Sequence, residues 1–230
     1  MHRLFLTTVF LIGIFFCAKA QDNSYMSRKE RFKWEIRGGI NASVPHLSYI
    51  DIEGMETDDP QGMGKVGYYA SISIRFHMKR FFLQPEASYS YTHGGASFNI
   101  IDDETVYNGQ ILTFKKHSLD IPLFFGYNFI QKKPYVLSLY LGPQFIYNFV
   151  SEYYFNNISV TTDEDPYKIN VVLGIGAHIS HLSLDFRYSV DPYKTQTINY
   201  NLEPGNKWLP VSASYGQRVN TMSFAIGYQF

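Results

Sequence analysis

Cysteine is nearly missing from this chain: the only one, Cys17, falls within the first twenty residues. Beyond that segment there can be no disulfide framework and no thiol chemistry. Long apolar runs are missing too, since no window approaches the roughly eighteen residues that a transmembrane helix requires. Neither charge sign is in excess, with 20 basic and 20 acidic side chains. The basic ones form no clustered surface of the kind a nucleic-acid partner calls for. What the chain does have is aromatic rings, at 17% of residues with 19 Tyr and 19 Phe.

The opening segment reads as an address. Arg3 supplies a short positive region, Leu4 to Phe16 an apolar core, and Ala18-Lys19-Ala20 an A-x-A cleavage site. That is the pattern of a secretory signal peptide over residues 1–20, too short in its apolar part to span a bilayer. Cys17 as a lipidation site would want a small residue before it, where Phe16 is bulky. Cleavage would remove Arg3 and Lys19 and no acid, so the 20 and 20 become 18 basic to 20 acidic. Residues 21–30 then form a short polar periplasmic tail and residues 31–230 a single domain.

That domain is organised around Leu119 to Phe149. Leu119, Ile121, Leu123, Phe125, Tyr127 and Phe129 are all apolar or aromatic, while Asp120, Pro122, Phe124, Gly126 and Asn128 are mixed. After a turn, Tyr135, Leu137, Leu139, Leu141, Phe145, Tyr147 and Phe149 alternate with Ser138, Gly142, Gln144 and Asn148. Successive strand side chains point to opposite sides, so this is a long β-hairpin with one greasy face. The same period of two recurs from Phe32, Val66, Phe81, Tyr167, Leu182 and Thr221. Eight strands result, joined alternately by long connections (about 44–64, 93–110, 151–166 and 191–217) and short ones. Alternating long loops and short turns is the expectation for an all-β, eight-stranded, antiparallel, up-and-down transmembrane β-barrel with short periplasmic turns and long extracellular loops.

A secreted lipocalin-like ligand-binding barrel would share the strand count with the greasy face turned inward. Three features favour lipid outside. No charged side chain falls on the apolar face, where Arg or Lys at the membrane midplane would cost about 2–4 kcal/mol. Aromatics gather at both ends of the strands, as at two membrane interfaces. The opposite face carries Lys33, Glu35, Arg37, Arg75, Glu86, Asp120, Asp185 and Arg187, an almost balanced set that could pair inside. Phe124, Tyr69 and Tyr140 share that face and would plug a lumen only wide enough for side chains, which argues against a pore. Pro85, Pro122 and Pro143 sit inside strands and cannot donate to a ladder, so bulges or lost hydrogen bonds are expected there.

Leu119-Asp120-Ile121-Pro122-Leu123 followed by Gly126-Tyr127-Asn128-Phe129 resembles the L-E-I-P-L…Y-x-F strand of PorT-like outer-membrane β-barrel proteins. Leu83-Gln84-Pro85-Glu86 before Tyr89, Leu141-Gly142-Pro143 and Gly174-Ile175-Gly176 resemble other strands of that pattern, and Asp120 stands where Glu is commoner. Gly227-Tyr228-Gln229-Phe230 is similar to the C-terminal signal, carried here by Tyr228 and Phe230, that the barrel-assembly machinery reads. The resemblance implies the outer membrane of a Gram-negative cell, with outer-membrane lipids as surroundings and a larger complex, such as type IX secretion or uptake, as a partner.

Catalytic candidates are sparse. His93, His117, Ser118 and His178 are the residues to weigh for a small enzyme acting on lipid A or peptides at the rim. His117 and Ser118 point to opposite faces, and no nucleophile, base and orienting group can be assembled. The acidic runs Asp102-Asp103-Glu104 and Asp163-Glu164-Asp165 offer oxygen ligands to Ca²⁺ but follow no loop template. Asn41-Ala42-Ser43 is a glycosylation sequon inside a strand. The expectation is therefore a non-enzymatic structural, docking or accessory barrel without cofactor, catalytic site or metal.

Overall fold

The computed structural model describes residues 32–52, 56–102, 105–132, 134–156, 158–162, 165–192, 196–201 and 212–230. The expected signal peptide, the tail and Cys17 lie outside the described residues. Among the described residues ten strands run in order: β1 (Phe32–Ile52), β2 (Glu56–Met78), β3 (Phe81–Asp102), β4 (Thr105–Lys132), β5 (Tyr135–Phe155), β6 (Ile158–Thr162), β7 (Tyr167–Ile179), β8 (Leu182–Val190), β9 (Gln196–Asn201) and β10 (Ser212–Gln229).

Eight of them form the barrel. Each pairs antiparallel with its neighbours, and β1 closes the ring against β10 from Glu35↔Gln229 to Ile52↔Ala213. The other two, β6 and β9, complete the wall higher up. At the short-turn end β5 pairs with β7 over Tyr135–Tyr147, and β10 pairs with β8 over Thr221–Tyr228. Farther along, β5 pairs with β6, β6 with β9, and β9 with β10. The ring is thus closed at two heights by different strands. A closed ring is required wherever lipid surrounds the backbone, because an open edge there would strand its polar groups.

Much of what alternation marks as extracellular loop is strand. β1 and β2 extend to Ile52 and from Glu56, and β3 and β4 to Asp102 and from Thr105. β4 alone has 28 residues, against about 9–11 needed to cross a bilayer. The wall therefore stands well clear of the membrane, where water replaces lipid on its outer face. Within the membrane the outside is apolar and the inside polar. Above it, Ala96, Phe98, Leu112, Phe114, Tyr153 and Phe155 are buried inside. A register shift beside His117 and Ser118 leaves Phe149 as the extra residue between Asn148 and Val150 on β5. That bulge reverses the parity of β5, turning Tyr153 and Phe155 inward.

The prolines do not shift register. Pairing between β2 and β3 lapses between Ser73↔Glu86 and Phe76↔Leu83, bracketing Pro85, and resumes in the same alignment. Pairing of β3 with β4 lapses likewise between Pro85↔Leu123 and Ser88↔Asp120, bracketing Pro122. Pairing of β4 with β5 lapses between Pro122↔Gln144 and Phe125↔Leu141, bracketing Pro143. Of the two expectations, lost pairing is what occurs; the bulges fall elsewhere. The short turns after β2 and β7 are two-residue connections, with positive φ at Lys79 (61°) and Ser180 (59°). That backbone suits the twist of a hairpin and is one most side chains resist.

The outer face is apolar on every barrel strand. Ile36, Ile121, Leu141, Leu173, Phe186 and Ile226 are all about half exposed to the surroundings. On β5, β7 and β8 exposed and buried positions alternate through the membrane-spanning part. A lipocalin would carry these side chains inside and the carboxylates outside. Here Glu35, Glu86, Asp120 and Asp185 are buried, so the lipocalin reading is corrected.

Gly142 marks a close approach of two strands, β4 and β5. A Cβ there would stand 2.0 Å from the carbonyl oxygen of Leu123. Gly142→Ala should destabilise the barrel by about 1–3 kcal/mol, the usual cost of forcing atoms into a packed site. Urea unfolding of the vesicle-inserted protein measures it, and unchanged stability would mean the strands separate there at no cost.

Candidate functional site: a lumen closed by ions and rings

Inward side chains from seven of the barrel strands meet at mid-lumen. Glu86 of β3 is the hub. Its carboxylate accepts from Arg187 Nη1 and Nη2 at 2.8 and 3.0 Å and from Arg37 Nη2 at 2.8 Å. Asp185 accepts from Arg187 Nε at 2.5 Å and from the Tyr140 hydroxyl at 2.7 Å. Arg37 Nη1 lies 3.2 Å from Asp185, and Arg37 Nε 3.4 Å from Glu35, as ion pairs without hydrogen-bond geometry. The Ser183 hydroxyl donates to Glu35. Arg37 also donates to Ser73 at 3.0 Å.

Arg75 stands beside this group. Its Nε donates to Gln84 at 2.7 Å, and its guanidinium lies 4.1 Å from the Phe82 ring centre. Three arginines and three carboxylates therefore share one enclosed volume. Isolated charges there would be prohibitively costly; paired and hydrogen-bonded ones are tolerated.

Rings fill what the ions leave. Phe82, Phe124, Tyr140 and Val172 form one buried cluster. The Phe124 and Tyr140 centroids are 4.8 Å apart, and Arg187 lies 4.8 Å from the centre of Phe124. Glycines make room: a Cβ at Gly126 would stand 2.2 Å from Phe82, and one at Gly174 2.3 Å from Tyr140.

Above the plug lies a cavity of about 100 Å³, lined among others by Asn41, Tyr69, Asp120, Gln144, Asn170 and Lys116. Asp120 accepts from Ser90 and Ser118 at 2.7 Å each and from Gln144 at 3.1 Å. Gln144 accepts in turn from Ser189, and Ser189 from Asn170, each at 3.0 Å. Three buried polar atoms on these walls have no hydrogen-bond partner among the described residues: Asn41 Oδ1, Tyr69 Oη and Asn170 Oδ1. Below the plug, both ring nitrogens of His77 and His178 and both side-chain polar atoms of Asn128 are also without one among the described residues.

The structure thus brings Glu35, Arg37, Glu86, Asp185 and Arg187 into contact and sets Arg75 beside them. It separates the other two members of the expected set. Asp120 belongs to the upper cavity. Lys33 is half-buried at the short-turn end and donates to Gln229 at 3.1 Å. Alternation alone did not single out Phe82, Gln84 or Ser73, although inward parity beside Glu86 was the available signal.

The catalytic candidates are dispersed. His117 faces outward in the aromatic girdle, 2.6 Å from the Tyr89 hydroxyl. Its neighbour Ser118 is inside on Asp120, and His93 lies outside near Tyr91. Among the described residues no cluster of three metal-binding side chains occurs. Tyr228 and Phe230 stand on the outer rim, their rings 5.0 Å apart.

A closed antiparallel wall, greasy outside and ionic within, defines the class: a β-barrel that crosses a membrane on eight strands. The chain belongs to the family described as outer membrane protein beta-barrel domain, whose pattern matches residues 19–209. It is also similar in structure to OprG of Pseudomonas aeruginosa. That match has a TM-score of 0.54 at 12% identity and covers 86% of this chain and 95% of that one. Neisserial surface protein A gives 0.42 at 13% identity, over 86% of this chain and 97% of its own. Ail of Yersinia pestis gives 0.39 at 15% identity, over 87% and 99%. No curated protein matches.

Removing the hub should be costly. Glu86→Ala leaves Arg37 and Arg187 buried with too little counter-charge, an expected loss of about 3–5 kcal/mol in urea unfolding. A loss below about 1 kcal/mol would mean that water replaces the carboxylate. In crystals, ordered waters are expected on Asn41 Oδ1, Tyr69 Oη and Asn170 Oδ1, since buried polar atoms in a roomy polar cavity are hydrated. A dry cavity at high resolution would contradict this.

Proposed function

We propose that this protein is a non-conducting, non-enzymatic barrel that serves as a docking or accessory subunit of a larger outer-membrane complex. The plug carries the reading. Among the described residues Glu86, Arg37, Arg187 and Asp185, with Phe124 and Tyr140, fill the lumen at mid-height with buried side chains. An eight-stranded barrel has little interior beyond that which side chains fill. With transport set aside, what remains for function is the outside: the lipid-facing wall and the tall wall above the membrane. The dispersal of His93, His117, Ser118 and His178 supports a non-enzymatic reading, because among the described residues none has a nucleophile, base and orienting group at hand.

The resemblance of the Leu119–Phe129 strand to PorT-like proteins supports a secretion complex such as type IX as the setting. Export by a cleaved signal peptide and insertion by the barrel-assembly machinery through Tyr228 and Phe230 belong to the same reading.

Two measurements test it. In planar bilayers the purified protein should give no stepwise conductance; discrete channels would overturn the closed-barrel reading. Affinity purification from gentle detergent extracts should recover stoichiometric protein partners, whereas a lone barrel would overturn the subunit role.

A further inference from the structure

The short-turn end of the barrel is basic. Lys79 and Arg80 form the turn after β2, Lys132 ends β4, and His181 lies in the turn after β7; all four are exposed. Among the described residues none has a carboxylate partner. The nearest acids in the lumen, Glu35, Glu86 and Asp185, are committed to the plug. The described acids Asp51, Glu56, Asp58, Asp59, Asp102 and Asp165 fall at the opposite ends of their strands.

Two of these basic groups are held by the aromatic girdle itself. Arg80 Nη1 donates to the Tyr127 hydroxyl at 3.2 Å, and the His181 ring stacks on Tyr228 with centroids 5.5 Å apart. Trp34, Phe81, Tyr135 and Phe230 are exposed on the outer face beside them. Amphipathic rings sit at headgroup level, and a strand advances only about 3.3 Å per residue. Lys79, Arg80 and His181 therefore lie within one or two residues of the headgroups.

We propose that this rim binds the phosphate diesters of anionic phospholipids in the inner leaflet, with Lys79, Arg80 and Lys132 as the charged contacts and His181 as a further donor. Anionic lipid is the occupant because the cations stand at the edge of the lipid-facing wall, continuous with the girdle, where a headgroup is the nearest neighbour. A water-borne acidic protein would instead want them on a projecting surface, and two-residue turns do not project. The inference rests on the reading that the short turns face the periplasm.

Trp34 provides the probe, since the sequence has one other tryptophan, Trp208, which Trp208→Phe removes. The full chain is folded into vesicles in which either phosphatidylcholine or phosphatidylglycerol carries brominated acyl chains, and quenching of Trp34 reports which lipid adjoins it. Brominated phosphatidylglycerol should win by about fivefold in apparent association, the factor one basic side chain gives near an anionic surface. The preference should fall to unity in Lys79→Asn/Arg80→Gln/Lys132→Gln and should shrink in the unmodified rim at high salt, which needs no variant to fold. Equal quenching by the two lipids, or a preference that survives both changes, overturns the proposal while leaving the barrel in the bilayer. No quenching by either lipid overturns the placement of Trp34 against lipid that the proposal requires.

Discussion

Everything in this molecule follows from placing a polar backbone in hydrocarbon. Lipid offers no hydrogen bonds, so each N–H and C=O of the spanning strands must find a partner in the wall, and the wall must close. The pairing of β1 with β10 is therefore the condition under which the other strands can exist in a bilayer. It has a second consequence inside. A closed ring of eight strands encloses a volume that neither lipid nor bulk water fills, and the inward side chains must satisfy one another.

They do so with charge. Arg37 and Arg187 share Glu86 and Asp185, Glu35 and Tyr140 complete the shell, and Arg75 rests on Gln84 and Phe82. Buried ion pairs commonly add little net stability against an apolar replacement. They do fix register: shifting one strand by a single residue would point a guanidinium at lipid and an isoleucine at the plug. The ionic lumen and the apolar exterior are thus one constraint seen from two sides.

The sequence was legible wherever a single rule held over a whole strand. Alternation from Leu119 to Phe129 and from Tyr167 to Ile179 gave the strands, and their charge-free face gave the outside. It became illegible where the surroundings change along one strand. Above the membrane Phe98, Leu112 and Phe114 turn inward because water has replaced lipid outside. The bulge at Phe149 also reverses the parity of β5, so the ends of β1 to β5 resemble loops. Inward parity identified the charged residues of the lumen. It could not say that Asp120 and Lys33 stand apart from the rest, because height in a tilted barrel depends on stagger as well as parity. Period-two counting sees faces, not levels.

The most direct test asks what solvent touches the greasy face. Single nitroxide labels at Ile121, Leu123, Phe125, Leu139 and Leu141 in lipid vesicles report collisions with oxygen, which concentrates in hydrocarbon, and with a water-soluble nickel chelate. The account predicts frequent collision with oxygen and little with the chelate at all five positions. Ready access of the chelate to those positions would contradict it.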